Sequence, residues 1–218
     1  MFTMKYLIIN ADDFGMSQIF NDVILNLIKK NQIRSTTVMV NHLTDNQKNQ
    51  FDELISLSKK MNLSIGLHLE FKNDDYEPQI KSQVAKFKQI FGFNPSHLDI
   101  HKAHGFKDSF SFVAKFCKET KVPLRNMGLL LKGVKSTRSE AFFGSIENFN
   151  DIEGWIKTFE DGEYYEIAFH PGKFDPDCKS SLNKDRARDV KYIVKLNSIL
   201  KENNIELVSY LDLAATFR

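Results

Sequence analysis

The sequence predicts an α/β fold of (β/α) barrel-like type, with about seven parallel strands and helices outside. Short apolar runs typical of buried strands alternate along the 218 residues with longer segments of helical periodicity. This alternation requires a parallel sheet with right-handed crossovers. Polar side chains suited to chemistry also recur where the predicted strands end, and α/β folds carry their active sites at those ends.

The first strand and the helix after it set the pattern. Residues 6–9 form an apolar run typical of a buried strand, and Ser17 is placed to cap a helix with apolar residues at helical spacing. The strand ends at Asp12 and Asp13. Adjacent side chains point to opposite sides of an extended backbone, so one carboxylate could bind a metal while the other handles a proton. The alternative is that this acidic pair forms a turn and caps the helix.

Polar side chains also end the next two predicted strands. Residues 35–41 have the β-branched content of a strand and finish at Asn41. A third apolar run, residues 63–70, contains His68. Predicted helices follow these three strands around residues 19–28, 51–57 and 80–91.

A short strand after Pro95 is predicted to carry three polar side chains on one face. Its alternation places His97, Asp99 and His101 on the same side. His104 follows at once, and a helix that contains residues 112–117 is predicted to run to residue 118. This strand therefore brings a second histidine, His101, to the strand ends.

The second half of the chain continues the alternation less regularly. Residues 122–125 are interpreted as the start of a short fifth strand, and residues 127–149 as one strand-bearing connection, because residues 129–131 fit a strand or a helix. A helix around residues 152–159 precedes a strand that ends at His170. A polar loop to about residue 183, an amphipathic helix through residues 190–200 and a strand at residues 206–210 complete the chain. The charged residues 184–189 are interpreted as a solvated helix face.

Composition limits the classes of function. With 30 Lys and Arg against 28 Asp and Glu, the net charge of +2 gives no extended field of one sign, so nucleic acid is not expected as a partner. The first residues lack the pattern of a signal peptide, so we expect none, and no window reaches roughly 18 apolar residues. We therefore expect a cytoplasmic protein with no membrane partner, folded as a single domain over residues 1–218. Cys117 and Cys178 lack the spacing of a disulfide framework or a thiolate zinc site.

Three strand-end residues match a metal site. One carboxylate and two imidazoles are a common ligand set for a catalytic divalent ion, and we assign Asp13, His68 and His101 to it. Asp99 is the candidate to orient one imidazole, with a structural salt bridge as the alternative. A lone histidine at a strand end is usually only a hydrogen-bonded polar residue. Burying two beside paired acids without an ion or a partner would, however, be unfavourable.

Hydrolysis at such a metal also needs a base and an acid. Asp12 is placed to take the proton of an attacking water, and His170 to give a proton to a departing amine. The alternative for residues 170–172 is a plain turn with a capping histidine. Together these residues predict a metal-dependent hydrolase.

Five short motifs stand at the predicted strand ends. They are Asn-Ala-Asp-Asp-Phe-Gly at 10–15, Ser-Thr-Thr-Val-Met-Val-Asn at 35–41, Gly-Leu-His-Leu at 66–69, His-Leu-Asp-Ile-His at 97–101 and Phe-His-Pro-Gly at 169–172. In this order they resemble the YdjC-like carbohydrate deacetylases, the family of chitooligosaccharide deacetylase, from the first strand to the last. The resemblance implies a (β/α) barrel-like fold and removal of an N-acetyl group from an amino sugar or short oligosaccharide. It also implies a divalent ion at Asp13, His68 and His101, with Asp12 as base and His170 as acid.

The chain departs from the family pattern beside the predicted metal site. Family members typically continue the second histidine motif as His-x-His-x-His, whereas residues 101–105 here read His-Lys-Ala-His-Gly, which keeps the ligand and changes the pocket. The connection from residue 68 to 97 is also shorter than in the chitooligosaccharide enzymes, so the resemblance does not identify which sugar is the substrate. Arg125 falls where the family carries an arginine, which meets the substrate or forms a structural ion pair. Asn41 and His104 are further candidates to contact the substrate or the ligands.

The sequence thus predicts a carbohydrate deacetylase whose partner is a small acetylated sugar. Two imidazoles favour zinc by ligand softness, while the family is described with magnesium, so the metal is not decided. Hydrolysis of another bond, such as a phosphoester, is one alternative, but it would call for clustered Arg and Lys or a Gly-rich loop. A noncatalytic sugar-binding protein is the other alternative. The sequence leaves a homodimer open.

Overall fold

One sheet of seven parallel strands carries the fold in the computed structural model, which describes residues 4–128, 132–144 and 149–216. The strands are β1 (Lys5–Phe14), β2 (Ser35–Val38), β3 (Ser64–Leu69), β4 (Leu98–Ile100), β5 (Phe142–Phe143), β6 (Tyr164–Phe169) and β7 (Ile205–Val208). Their order is β4-β3-β2-β1-β6-β5, and β7 pairs with β1. All six pairings are parallel, as the alternation of strands and helices predicts.

Helices occupy most of the connections between the strands. They are α1 (Gln18–Lys29), α2 (Lys48–Lys60), α3 (Tyr76–Phe91), α4 (Ser109–Thr120), α5 (Ile152–Lys157), α6 (Arg186–Glu202) and α7 (Tyr210–Ala215). Short 3₁₀ turns lie at Asp45–Gln47 and Ala103–Gly105. Ser17 caps α1 as expected, because its side chain accepts the N–H of Ile19 at 3.1 Å.

Strand β1 is the centre of the sheet. Along one edge it pairs with β6 from Tyr6 to Ala11. Along the other edge, β7 pairs with its first half and β2 with its second half. Because β1 is paired on both edges and its residues 7–14 are fully buried, its carboxyl end is held rigidly.

The sheet forms a half-barrel, which confirms the barrel-like α/β class. Its two outer strands are β4 and β5, and no pairing joins them within the described ranges. Apolar faces of the helices pack on the sheet through residues such as Ile24, Phe87 and Leu196. In the part of the chain described, no helix is both long enough and apolar enough to cross a membrane.

Two predicted strands are shorter in the structure. Strand β2 ends at Val38, and the chain turns away before it reaches Asn41. Residues 122–125 form only an isolated parallel bridge, between Leu98 and Leu124. Pro123 has no N–H to donate, and the N–H of Leu124 goes instead to the carbonyl of Lys135. Residues 129–131, for which strand and helix were both open, lie outside the described residues.

Two helix boundaries also differ from the sequence prediction. Helix α3 begins at Tyr76 rather than near Ile80, because Pro78 falls in the first turn, where a backbone N–H is not needed. The last strand ends at Val208, and Ser209 starts α7 by accepting the N–H of Leu211. Tyr210 is therefore a buried helical residue and not a strand residue.

Candidate functional site

A cavity of about 930 Å³ opens at the carboxyl ends of the strands. The strand-end residues that line it are Asp12, Asp13, His68, His101 and His170. Aromatic rings of Phe106, Phe110 and Phe143 also line it. The structure therefore brings together side chains that are separated by up to 158 positions in the chain.

Three potential ligand atoms from three segments converge in this cavity. Asp13 Oδ1 lies 3.4 Å from His68 Nε2 and 3.4 Å from His101 Nδ1. The two imidazole nitrogens are 3.1 Å apart. Asp13 Oδ1 is buried and has no hydrogen-bond partner among the described residues. Atoms so spaced can all lie about 2.0–2.2 Å from one point, the range of zinc bonds to nitrogen and oxygen.

The backbone at the end of β1 is not extended. Asp13 has a φ of +70°, and the pairing of β1 with β2 shifts register between Ala11 and Phe14. Such a bulge breaks the alternation of side chains along a strand. The opposite orientation expected for an extended backbone therefore does not apply here, and Asp12 and Asp13 both line the same cavity.

Asp99 fixes the ring of His68. The two residues are paired across β3 and β4, and Asp99 Oδ1 accepts the His68 Nδ1 proton at 2.6 Å. This hydrogen bond leaves His68 Nε2 facing Asp13 and His101. Burial opposes protonation of His68, but Asp99 and Asp13 outweigh it and raise the pKa of His68 well above its usual value.

Arg125 joins three carboxylates beside the cavity. Its Nη1 and Nη2 donate to the two oxygens of Asp12 at 2.8 and 2.7 Å, and Nη1 lies 2.7 Å from Asp99 Oδ2. Its Nε donates to Glu166 at 2.9 Å. Burial opposes ionisation of Asp12, but Arg125 outweighs it and holds the pKa of Asp12 well below its usual range. Of the two roles expected for Arg125, the structure favours the ion pair.

A layer of buried polar groups supports Arg125 from within the half-barrel. The hydroxyl of Tyr210 donates to Glu166 Oε2, so both oxygens of Glu166 are used. His97 stacks on the ring of Tyr210 with centroids 3.8 Å apart. Burial and the charge of Arg125 lower the pKa of His97, which keeps it neutral. His97 is therefore a buried structural residue of this polar layer.

A second group of potential ligands, Asp12, His68 and Asp99, lies close by. Its atoms are already engaged, because Arg125 binds both carboxylates and Asp99 binds His68 Nδ1. The group with Asp13 differs in having a buried carboxylate oxygen that accepts no hydrogen bond from the described residues. The geometry thus favours the group of Asp13, His68 and His101 for a cation.

His170 lies across from the carboxylate of Asp12. Its Nε2 is 3.7 Å from Asp12 Oδ2, and its side chain is 24% exposed. Its backbone N–H donates to Asp189 Oδ2 at 2.8 Å. The ring thus lines the cavity while helix α6 holds its backbone.

Arg186 is a site residue that the sequence analysis missed. It is fully buried at the start of α6, and its Nη2 donates to Asp13 Oδ2 at 2.6 Å. Asp189 is buried as well, so residues 184–189 are not a uniformly solvated face. Helical spacing could have indicated that these two residues are buried, because Arg186 and Asp189 share one face with the buried Ile193 and Leu196.

The remaining candidates lie farther from the convergent atoms. Asn41 is exposed in the turn after β2 and is not among the residues that line the cavity. The expectation that it contacts the site is therefore not supported. His104 is exposed on the 3₁₀ turn after His101 and lines the cavity.

The sequence of the chain is similar over nearly its whole length to proteins named carbohydrate deacetylases. The family model of YdjC-like proteins matches residues 6–78 and 71–198. The chain is 28% identical to carbohydrate deacetylase 2 of Listeria innocua, over 95% of this chain and 98% of that protein. It is 27% identical to a carbohydrate deacetylase of Clostridium beijerinckii, over 95% and 99% of the two chains.

Solved structures share the fold. A protein of Enterococcus faecalis, assigned by name to cellobiose-phosphate cleavage, superposes with a TM-score of 0.77 at 21% identity and covers 97% of this chain and 99% of its own. The chitin deacetylase of Colletotrichum lindemuthianum superposes with a TM-score of 0.57 at 14% identity, over 97% and 88% of the two chains. Since the family model spans residues 6–198, the chain belongs to the family of YdjC-like proteins.

Proposed function

We propose that this protein is a metal-dependent deacetylase that removes the N-acetyl group from an amino sugar or a short oligosaccharide. The observation that carries the proposal is the convergence of Asp13 Oδ1, His68 Nε2 and His101 Nδ1 within 3.4 Å of one another in the cavity. The names of the relatives from Listeria innocua and Clostridium beijerinckii support the type of reaction.

The residues present fit a divalent ion. A buried carboxylate oxygen to which no described residue donates a hydrogen bond lies beside two imidazole nitrogens, and together these atoms form a set of three donors to a metal. Asp13, His68 and His101 would hold the ion, which would polarise the acetamide carbonyl and lower the pKa of a water molecule. One carboxylate and two imidazoles suit zinc and related transition metals better than magnesium by ligand softness.

Asp12 and His170 supply the proton transfers in this proposal. Asp12 is ionised, because Arg125 holds its pKa low, and it can accept the proton of the attacking water. His170, as an imidazolium, would donate a proton to the amine that leaves. Its Nε2 lies only 3.7 Å from Asp12 Oδ2, so both groups can reach the same bond.

The shape of the cavity suits a sugar of more than one ring. Its volume of about 930 Å³ lies at the upper end of the range for small-molecule sites. Aromatic rings such as Phe106 and Phe143 give it apolar walls against which sugar faces can pack. A short oligosaccharide is therefore the substrate that we would test first.

The direct test is acetate release from N-acetylglucosamine oligomers. Protein freed of metal by a chelator should be inactive, and adding back single divalent metals should restore activity and rank them. Full activity after verified metal removal would reject the metal-dependent mechanism. No acetate from any acetylated amino sugar, with metal demonstrably bound, would reject the substrate class.

A further inference from the structure

The arginine that opens helix α6 contacts the proposed metal ligand from the side away from the histidines. We propose that Arg186 is a positioning residue that occupies Asp13 Oδ2, so that Asp13 offers the metal only Oδ1. The inference rests on the proposed function, because it takes Asp13 to be a metal ligand. It adds a residue whose role no sequence motif indicated.

The two oxygens of Asp13 have different surroundings. Oδ2 accepts a charge-assisted hydrogen bond from Arg186 Nη2 at 2.6 Å. Oδ1 has no hydrogen bond from the described residues and lies 3.4 Å from the nitrogens of His68 and His101. A free carboxylate can bind a cation through one or both oxygens. The bond from Arg186 removes the second option and fixes the rotation of the carboxylate.

Arg186 is itself held on several sides. Its guanidinium carbon lies 4.0 Å from the ring centre of Phe20, and Nη2 is 3.2 Å from Ser180 Oγ. Gly172 packs against it so closely that an added Cβ would be 2.9 Å from Arg186 Cδ. The glycine of the His-Pro-Gly motif is thus explained by the arginine that passes beside it. An arginine so confined can impose a fixed position on its partner.

The same turn of α6 also holds the proposed acid. Asp189, three residues after Arg186, accepts the backbone N–H of His170 at 2.8 Å. The N–H of Gly172 donates to the carbonyl of Arg186 at 3.3 Å. This turn therefore fixes both the metal ligand and the loop that carries His170.

A purely structural arginine would be expected to use more of its donors. Arg186 Nε and Nη1 are buried and have no hydrogen-bond partner among the described residues. Such burial is unfavourable for stability. Because Nη2 carries the contacts to Asp13 and Ser180, the orientation of Asp13 accounts for the residue better than a contribution to stability.

Cobalt binding tests the inference apart from activity. Arg186→Met and Arg186→Lys are compared with wild type and with Arg138→Met, which removes an exposed arginine that pairs with Glu160. Calorimetry gives the Co²⁺ affinity, and the visible absorption of bound Co²⁺ reports its coordination. Thermal unfolding without metal shows which variants fold.

We expect Arg186→Met to bind Co²⁺ about 10–100-fold more weakly, in line with other residues that orient metal ligands. Its spectrum should also change, because Asp13 is then free to bind through both oxygens. Arg186→Lys should recover part of the affinity through its one ammonium nitrogen, and Arg138→Met should match wild type. If Arg186→Met does not fold, the lysine variant carries the test, since it keeps the charge without the planar fork.

Two results would count against the inference, and they are distinguishable. Wild-type affinity and spectrum in a folded Arg186 variant would overturn the role of Arg186 and leave the metal site in place. Failure of wild type itself to bind Co²⁺ or Zn²⁺ would overturn the proposed function, and the inference with it.

Discussion

Asp12 and Asp13 are neighbours in the sequence, but different arginines bind them. Arg125 engages both oxygens of Asp12, whereas Arg186 engages only Oδ2 of Asp13. The other oxygen of Asp13, Oδ1, accepts no hydrogen bond from the part of the chain described and lies 3.4 Å from His68 Nε2. In the proposed mechanism, these different partners suit the two side chains to different roles, Asp12 as the proton acceptor and Asp13 as a donor to a cation.

Replacing Asp12 with asparagine should separate proton transfer from metal binding. We expect Asp12→Asn to lower kcat for acetate release by about 10²–10⁴-fold, because an amide cannot take the proton of water. Metal affinity by calorimetry should stay within a few-fold of wild type, since Asp12 lies outside the convergent group. Wild-type turnover in the variant would remove Asp12 from the role of base.

Removing Arg125 should show how much the buried carboxylates depend on it. In Arg125→Met, Asp12, Asp99 and Glu166 lose their shared cation. We expect the free energy of unfolding in urea at neutral pH to fall by about 3–5 kcal/mol, as for other buried pairs that lose one partner. The control, Arg138→Met, breaks an exposed pair with Glu160 and should leave the free energy of unfolding nearly unchanged.

The effect of Arg125→Met should also depend on pH. The pKa of Asp12 is lower in the folded than in the unfolded protein, so its stabilising effect is present above about pH 4 and is lost as the pH falls through the folded value. The difference between wild type and variant should therefore shrink as the pH is lowered below about 4, while both remain folded. A constant difference across that range would mean that Arg125 stabilises by packing alone.

Gly66 in strand β3 leaves room for the ring of His97, which packs directly against it. A Cβ at Gly66 would lie 2.4 Å from the ring of His97, which cannot retreat because it stacks on Tyr210. We expect Gly66→Ala to lower the free energy of unfolding by about 1–3 kcal/mol through overpacking. Gly105→Ala is the matched control, because its Cβ would meet no atom within 4 Å, and it should change stability by under about 1 kcal/mol. Equal effects of the two substitutions in urea unfolding would contradict this explanation.

Strand β1 shows which features of an element its sequence predicts. The apolar run and the acidic end were enough to predict a buried strand that places carboxylates at its carboxyl end. The bulge near Asp13 was not predictable, because it arises where β1 pairs with β2, between Ala11 and Phe14. The extended alternation does not hold at that point, because Asp13 has a left-handed φ, and both carboxylates line the cavity.

Helix α6 shows a second way in which prediction from the sequence is limited. A run of alternating charges is usually solvated, and the interpretation of residues 184–189 followed that rule. Arg186 and Asp189 are buried because they bind other parts of the chain. Arg186 donates to the carboxylate of Asp13, and Asp189 accepts the backbone N–H of His170. Only the spacing of these two residues with the apolar residues later in the helix could have indicated their burial.

Across the whole protein, the order of the strands decides which residues meet. Motif order and the family resemblance were enough to predict which histidines and aspartates face one another at the strand ends. Arg125 comes from the segment after α4 and reaches carboxylates on β1, β4 and β6. Those contacts depend on the curvature of the sheet into a half-barrel, and local sequence patterns do not predict that curvature.

Because the proposed ligands come from β1, β3 and the end of β4, metal binding should stabilise the entire fold. Metal at 100 times its Kd adds about 2.7 kcal/mol to the free energy of unfolding, provided that the unfolded chain binds none. For a protein of this size, that corresponds to an increase in Tm of roughly 5–10 °C, which calorimetry can measure. A chelator should reverse the increase.

The histidines of the cavity provide the control for this shift. His68→Ala removes a convergent nitrogen and should abolish most of the metal-induced increase in Tm. His104→Ala removes an exposed histidine of the same cavity that lies outside the convergent group, and it should keep the increase. If metal raised the Tm of His68→Ala as much as that of wild type, the ion would bind elsewhere, and the three proposed ligands would not form the metal site.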